Sequence, residues 1–149
     1  MILQADNLTK AFGGLRAVDG VSFLLDANEI LGVAGPNGSG KSTLFNILTG
    51  IPFGPDGGRV IFEGREVQNV APEELARSGI ARTFQRESIF PSLSAIDNVL
   101  VSVEHNGRRA RHRENEEAAV VALDMVGFPQ TLHNAPTATL PIFFRKTLM

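Results

Sequence analysis

The chain has 149 residues, a formal net charge of −2 and no cysteine. These numbers exclude disulfides, thiol catalysis and cysteine metal sites, and give no electrostatic case for nucleic acid or an anionic membrane as main partner. The length fits one domain, the opening residues show no secretory leader, and the longest apolar run, residues 118–123, is far too short for a bilayer. A cytosolic chain is expected.

In chain order, residues 2–8 and 21–25 read as strands, the second with Val21, Phe23 and Leu25 alternating with Ser22. Residues 29–34 read as a short buried strand. Residues 42–49 read as a helix with Leu44, Ile47 and Leu48 on one face. Asp56-Gly57-Gly58 is a turn into a strand over 59–63, closed by Gly64. Residues 72–77 form a short helix, with Pro72 at its start, Glu73 and Glu74 in its first turn and Gly79 past its end. A strand is expected over 80–84. Ser94 and Asp97 spell an acidic variant of a capping box, opening a helix to about Val103 that Asn106-Gly107 breaks. A further helix runs over 114–126 and stops at Gly127. The pattern implies a mixed sheet region to about residue 92 and a helical region over 93–139. Residues 140–149 fit neither.

Between the strand at 29–34 and the helix at 42–49 lies Gly35-Pro36-Asn37-Gly38-Ser39-Gly40-Lys41-Ser42. It fits G-x-x-x-x-G-K-[ST], the Walker A phosphate loop. Small residues let backbone N–H groups close around phosphate oxygens, and glycine permits backbone angles that other residues resist. The helix N-terminus adds the positive end of its dipole. Lys41 brings a mobile full charge for the outer phosphates, and the Ser42 hydroxyl can ligate Mg²⁺.

Together these residues resemble the ATP-binding subunits of ATP-binding cassette (ABC) transporters. Phe12-Gly13-Gly14-Leu15-Arg16-Ala17-Val18, the loop from Gly35 to Thr43, Arg82-Thr83-Phe84-Gln85 and Asp97-Asn98-Val99 are similar to the branch that serves branched-chain amino acid importers. The resemblance implies an α/β P-loop NTPase fold of ABC ATPase type, incomplete here. It divides the chain into a nucleotide-binding core over 1–92, a helical subdomain over 93–139 and an aberrant tail over 140–149. It implies that ATP and Mg²⁺ bind at Phe12, Val18, Gly35, Pro36, Asn37, Gly38, Ser39, Gly40, Lys41, Ser42, Thr43 and Gln85. Phe12 would stack on adenine, Val18 would touch ribose and base, and Ser42 and Gln85 would approach the metal. The loop 86–94 would face a membrane permease, on the inner face of the cell membrane. In the intact family a second ATPase subunit completes a head-to-tail dimer.

Two features carry competing readings. Arg108, Arg109, Arg111, His112 and Arg113, answered by Glu114, Glu116 and Glu117, are a solvated connection or a partner contact. Residues 119–124 have the apolar-run-then-Asp form of a Walker B strand, but the acidic lead-in and Gly127 favour a helix, with Asp124-Met125-Val126-Gly127 as its end rather than a GTPase motif. Where the resemblance places a glycine-containing signature segment, the chain reads Leu140-Pro141-Ile142-Phe143-Phe144. This looks like a truncated or shifted reading frame, so no catalytic residue is assigned. Three functions compete: a transport ATPase subunit, a nucleotide-binding fragment unable to hydrolyse, and a P-loop kinase or GTPase. Phe12, Gln85 and the lack of an N-K-x-D motif disfavour the third.

Overall fold

A computed structural model describes residues 1–84, 88–105 and 112–149. The chain divides into two compact units, Met1–Ala81 and Arg82–Met149.

The first unit is built on a four-stranded sheet in the order β2-β1-β3-β4, from β1 (Leu3–Phe12), β2 (Leu15–Leu25), β3 (Gly57–Phe62) and β4 (Arg65–Glu66). Every pairing is antiparallel. Gly13-Gly14 joins β1 to β2 in a two-residue hairpin, with Phe12 opposite Leu15 and Gly13 at φ +58°. Glu63-Gly64 closes β3 onto β4 in the same way, both at positive φ. Helix α1 (Lys41–Thr49) follows the glycine loop, and α2 (Pro72–Ser78) ends on Gly79 in the left-handed conformation. Leu44 and Ile47 of α1 and Leu75 of α2 bury against Ala5, Leu8, Val18 and Val60 of the sheet. Leu8, Ile47 and Val60 are at or below 1% exposure, so each contributes on the order of 1.5–3 kcal/mol of burial.

Two expected strands do not form. Residues 29–34 and 80–84 are irregular, and Ile30 is 97% exposed rather than buried. An apolar run supplies propensity, but a strand needs a neighbour to satisfy its N–H and C=O groups, and among the described residues no ladder reaches either segment. The sheet is therefore antiparallel throughout, not mixed.

The second unit packs α3 (Ala95–His105) with α4 (His112–Met125). Ser94 opens α3 as expected: its Oγ accepts from the Asp97 N–H at 3.1 Å and donates to Asp97 Oδ2 at 2.6 Å. Buried Asn98 ties the preceding loop, accepting from the Phe90 N–H at 2.7 Å and donating to the Ser94 carbonyl at 2.9 Å. The 119–124 run lies inside α4, which turns off at Gly127 (φ +66°). Beyond 3-10 turns at Gln130–Leu132 and Thr137–Thr139, residues Ile142–Thr147 form α5. The Phe144 ring meets Phe128 edge-on at 5.4 Å, beside buried Leu123 and Leu140. Of the basic run, Arg108, Arg109 and Arg111 lie outside the described residues. His112 sits 3.4 Å from Glu116 and Arg113 3.2 Å from Glu117, both on the exposed face of α4.

Candidate nucleotide-binding site

The glycine loop earns its shape from three local constraints. Gly38 and Gly40 adopt φ +83° and +88°, the left-handed region where only glycine is unstrained. A Cβ on Gly35 would stand 2.7 Å from Ser39 Oγ, so the loop closes tightly on itself. A Cβ on Gly40 would land on the Ala17 carbonyl oxygen, which seats the loop directly on β2.

Helix α1 starts at Lys41, with Gly40 as its N-cap. An α-helix leaves its first N–H groups without intrahelical partners. Here the cap has no side chain to bond them, and no acidic residue stands in the first turn. The positive end of the helix is thus left to an external anion. Lys41 Nζ donates to the carbonyls of Gly35 and Pro36, both at 2.7 Å, and lies 3.4 Å from Ser39 Oγ. The ammonium thus folds back onto the loop's own carbonyls. These residues fit a polyphosphate: backbone donors at the helix start and a mobile cation, with the one carboxylate lining the cleft, Asp19, paired to Arg16 at 2.9 Å.

Val18 (4% exposed) and Val33 join Gly35, Pro36, Gly40 and Lys41 around an open cleft of about 410 Å³. The structure thus brings Val18, Gly35, Pro36, Ser39, Gly40 and Lys41 together around one cleft. Asn37, Gly38, Ser42 and Thr43 sit in the loop and first turn of α1 but do not line the cleft wall. Ser42 is exposed there. Phe12 ends β1, 46% exposed, with its ring edge-on to Phe53 at 5.2 Å. Gln85 lies outside the described residues.

Sequence reasoning missed the surroundings of Phe12. Lys10 Nζ lies 5.8 Å from the Phe12 ring centroid and 5.1 Å from that of Phe53. It donates to Asp56 Oδ1 at 2.6 Å. Asp56 Oδ2 accepts from the Ala11 N–H at 2.8 Å. The Lys10 hydrogen bond, then that of Ala11, holds the Asp56 carboxyl below its ordinary value of 3.8. The only sequence signal was Lys10 two residues before Phe12; Asp56 read as a turn residue.

A family model described as ABC transporter matches residues 18–140. The chain belongs to the ABC transporter family. Its relatives include the high-affinity branched-chain amino acid transport ATP-binding protein BraF of Pseudomonas aeruginosa, 42% identical over 101 residues, covering 68% of this chain and 39% of that protein. The probable branched-chain amino acid transport ATP-binding protein LivG of Archaeoglobus fulgidus is 37% identical over 139 residues, 89% of this chain and 54% of that protein. Among solved structures, the ADP conformation of MJ1267, an ATP-binding cassette of an ABC transporter, superposes with a TM-score of 0.82 at 32% identity, over 99% of this chain and 61% of that one. The dimeric post-hydrolysis cassette MJ0796, bound to ADP and Pi, has a TM-score of 0.84 at 24% identity and shares the fold. The chain thus covers 39% and 54% of the length of these two curated relatives and carries part of the ABC ATPase fold. No helix among the described residues is long and apolar enough to cross a membrane.

Proposed function

We propose that this chain binds MgATP as the nucleotide-holding part of an ABC importer ATPase subunit, in the branch serving branched-chain amino acids. The observation that carries the reading is the glycine-capped, acid-free start of α1 with Lys41 folded over it. Phosphates occupy the loop from Gly35 to Thr43, adenine lies on Phe12, and Val18 meets the ribose and base. Ser42 and Gln85 would hold Mg²⁺, which would supply positive charge to neutralise the phosphates. Residues 1–92 form the nucleotide core, 93–139 the helical subdomain and 140–149 the tail. Loop 86–94 docks on permease subunits at the inner face of the membrane, and a second ATPase subunit completes the assembly. The names of the relatives support the solute class, and the MJ0796 dimer supports the pairing.

The second reading, binding without hydrolysis, is favoured by Asp124. It lies exposed on α4 rather than at a strand end, so the apolar run before it does not form a Walker B strand that would supply a carboxylate. Gripping substrate and transition state alike does not raise kcat. Denaturation with and without MgATP tests the binding: at about 100-fold above Kd, stability rises by about 2.7 kcal/mol, and Lys41→Ala removes the rise. An unchanged rise in the mutant refutes the site. Phosphate release measured beside Lys41→Ala separates the readings, since turnover above that control selects the hydrolytic one.

A further inference from the structure

The end of β1 is held in an unusual way. The β1–β3 ladder stops at Thr9 opposite Gly57, so Lys10, Ala11 and Phe12 overhang β3. An overhang with a ladder on one side only frays more readily. Asp56, the residue just before β3, takes over the missing strand's work. Its N–H donates to the Thr9 carbonyl at 2.9 Å, its Oδ2 accepts from the Ala11 N–H at 2.8 Å, and its Oδ1 accepts from Lys10 Nζ at 2.6 Å. Three consecutive residues are tied down immediately before Phe12.

The Lys10 side chain is only 14% exposed. It stands over the Phe12 and Phe53 rings, with Asp56 as its counter-charge. A cation over two rings that already meet edge-on, at 73°, restrains the tilt of both. Phe12 nonetheless keeps 46% of its surface open. A ring fixed in plane yet open to solvent is suited to stack on a flat base.

We propose that Asp56, Lys10 and Phe53 are positioning residues that preset the Phe12 ring as a base platform. The proposal rests on the reading of Phe12 as the adenine contact. Preorganisation favours binding by removing the entropy of ordering the ring when the ligand arrives. The device acts on the base alone, because its contacts lie at the end of β1 and none involves the phosphate loop.

Affinities for MgATP and for magnesium tripolyphosphate, which lacks a base, test this in the wild type, Phe12→Ala, Asp56→Ala, Lys10→Met and Lys10→Arg. Asp56→Ala and Lys10→Met should weaken MgATP about three- to tenfold and leave tripolyphosphate unchanged. Lys10→Arg, which keeps a cation over the rings and a donor for Asp56, should recover most of the loss. If Phe12→Ala weakens MgATP while Asp56→Ala and Lys10→Met do not, the positioning claim falls and the adenine contact stands. If Asp56→Ala weakens both ligands equally, its role is structural and the claim falls. If Phe12→Ala leaves the preference for MgATP over tripolyphosphate intact, the adenine contact itself fails and takes the proposal with it.

Discussion

Gly40→Ala separates two reasons for glycine in the phosphate loop. Gly38 and Gly40 share nearly the same φ, +83° and +88°. Placing alanine in that region costs about 1–2 kcal/mol at either site. Their surroundings differ. A Cβ at 38 meets nothing within 4 Å, while one at 40 lands on the Ala17 carbonyl. Relieving that clash means moving the start of α1 off β2, an overpacking cost of about 1–3 kcal/mol. Gly40→Ala should therefore cost about 2–5 kcal/mol in total, and Gly38→Ala only about 1–2 kcal/mol. Urea unfolding without nucleotide, at low protein concentration, reads the difference as a shift in midpoint at constant slope. Equal losses at the two sites would refute the claim that the loop is seated on β2 through Gly40.

Ile30, 97% exposed, gives a second test. Ile30→Lys should change stability by less than about 0.5 kcal/mol and reduce light scattering from associated chains, because it interrupts an exposed apolar segment. A loss above about 2 kcal/mol would mean the segment is buried after all. The Asp56 carboxyl is depressed below 3.8 by its bonds from Lys10 and Ala11. Its stabilisation is therefore present above the unfolded value and is lost as pH falls through the lower folded value. An NMR titration should place its midpoint below 3.8 and find it raised in Lys10→Met. A midpoint at or above 3.8 would contradict the observed bonds.

Local signals were legible in the sequence. The glycine loop, the Ser94 cap with Asp97 and the Gly79 and Gly127 stops depend on a few neighbouring residues, and the structure has each of them. The Phe12–Leu15 stretch read as a family marker; it also makes the β1–β2 hairpin turn. Non-local facts were not legible. Residues 29–34 have the composition of a buried strand, but burial depends on a partner ladder, which one segment cannot reveal. Lys10 and Asp56 stand 46 positions apart, and only the β1–β3 register brings them together. Helix α5 forms where no apolar period was visible, because Phe144 and Leu148 have a packed surface to meet.

Titration calorimetry of MgATP into the wild type and Lys41→Ala tests the central claim most directly. The account predicts saturable binding by the wild type and its near-complete loss in the mutant, because Lys41 is the only cationic side chain among the described residues lining the cleft. Equal affinity in the two proteins would contradict it.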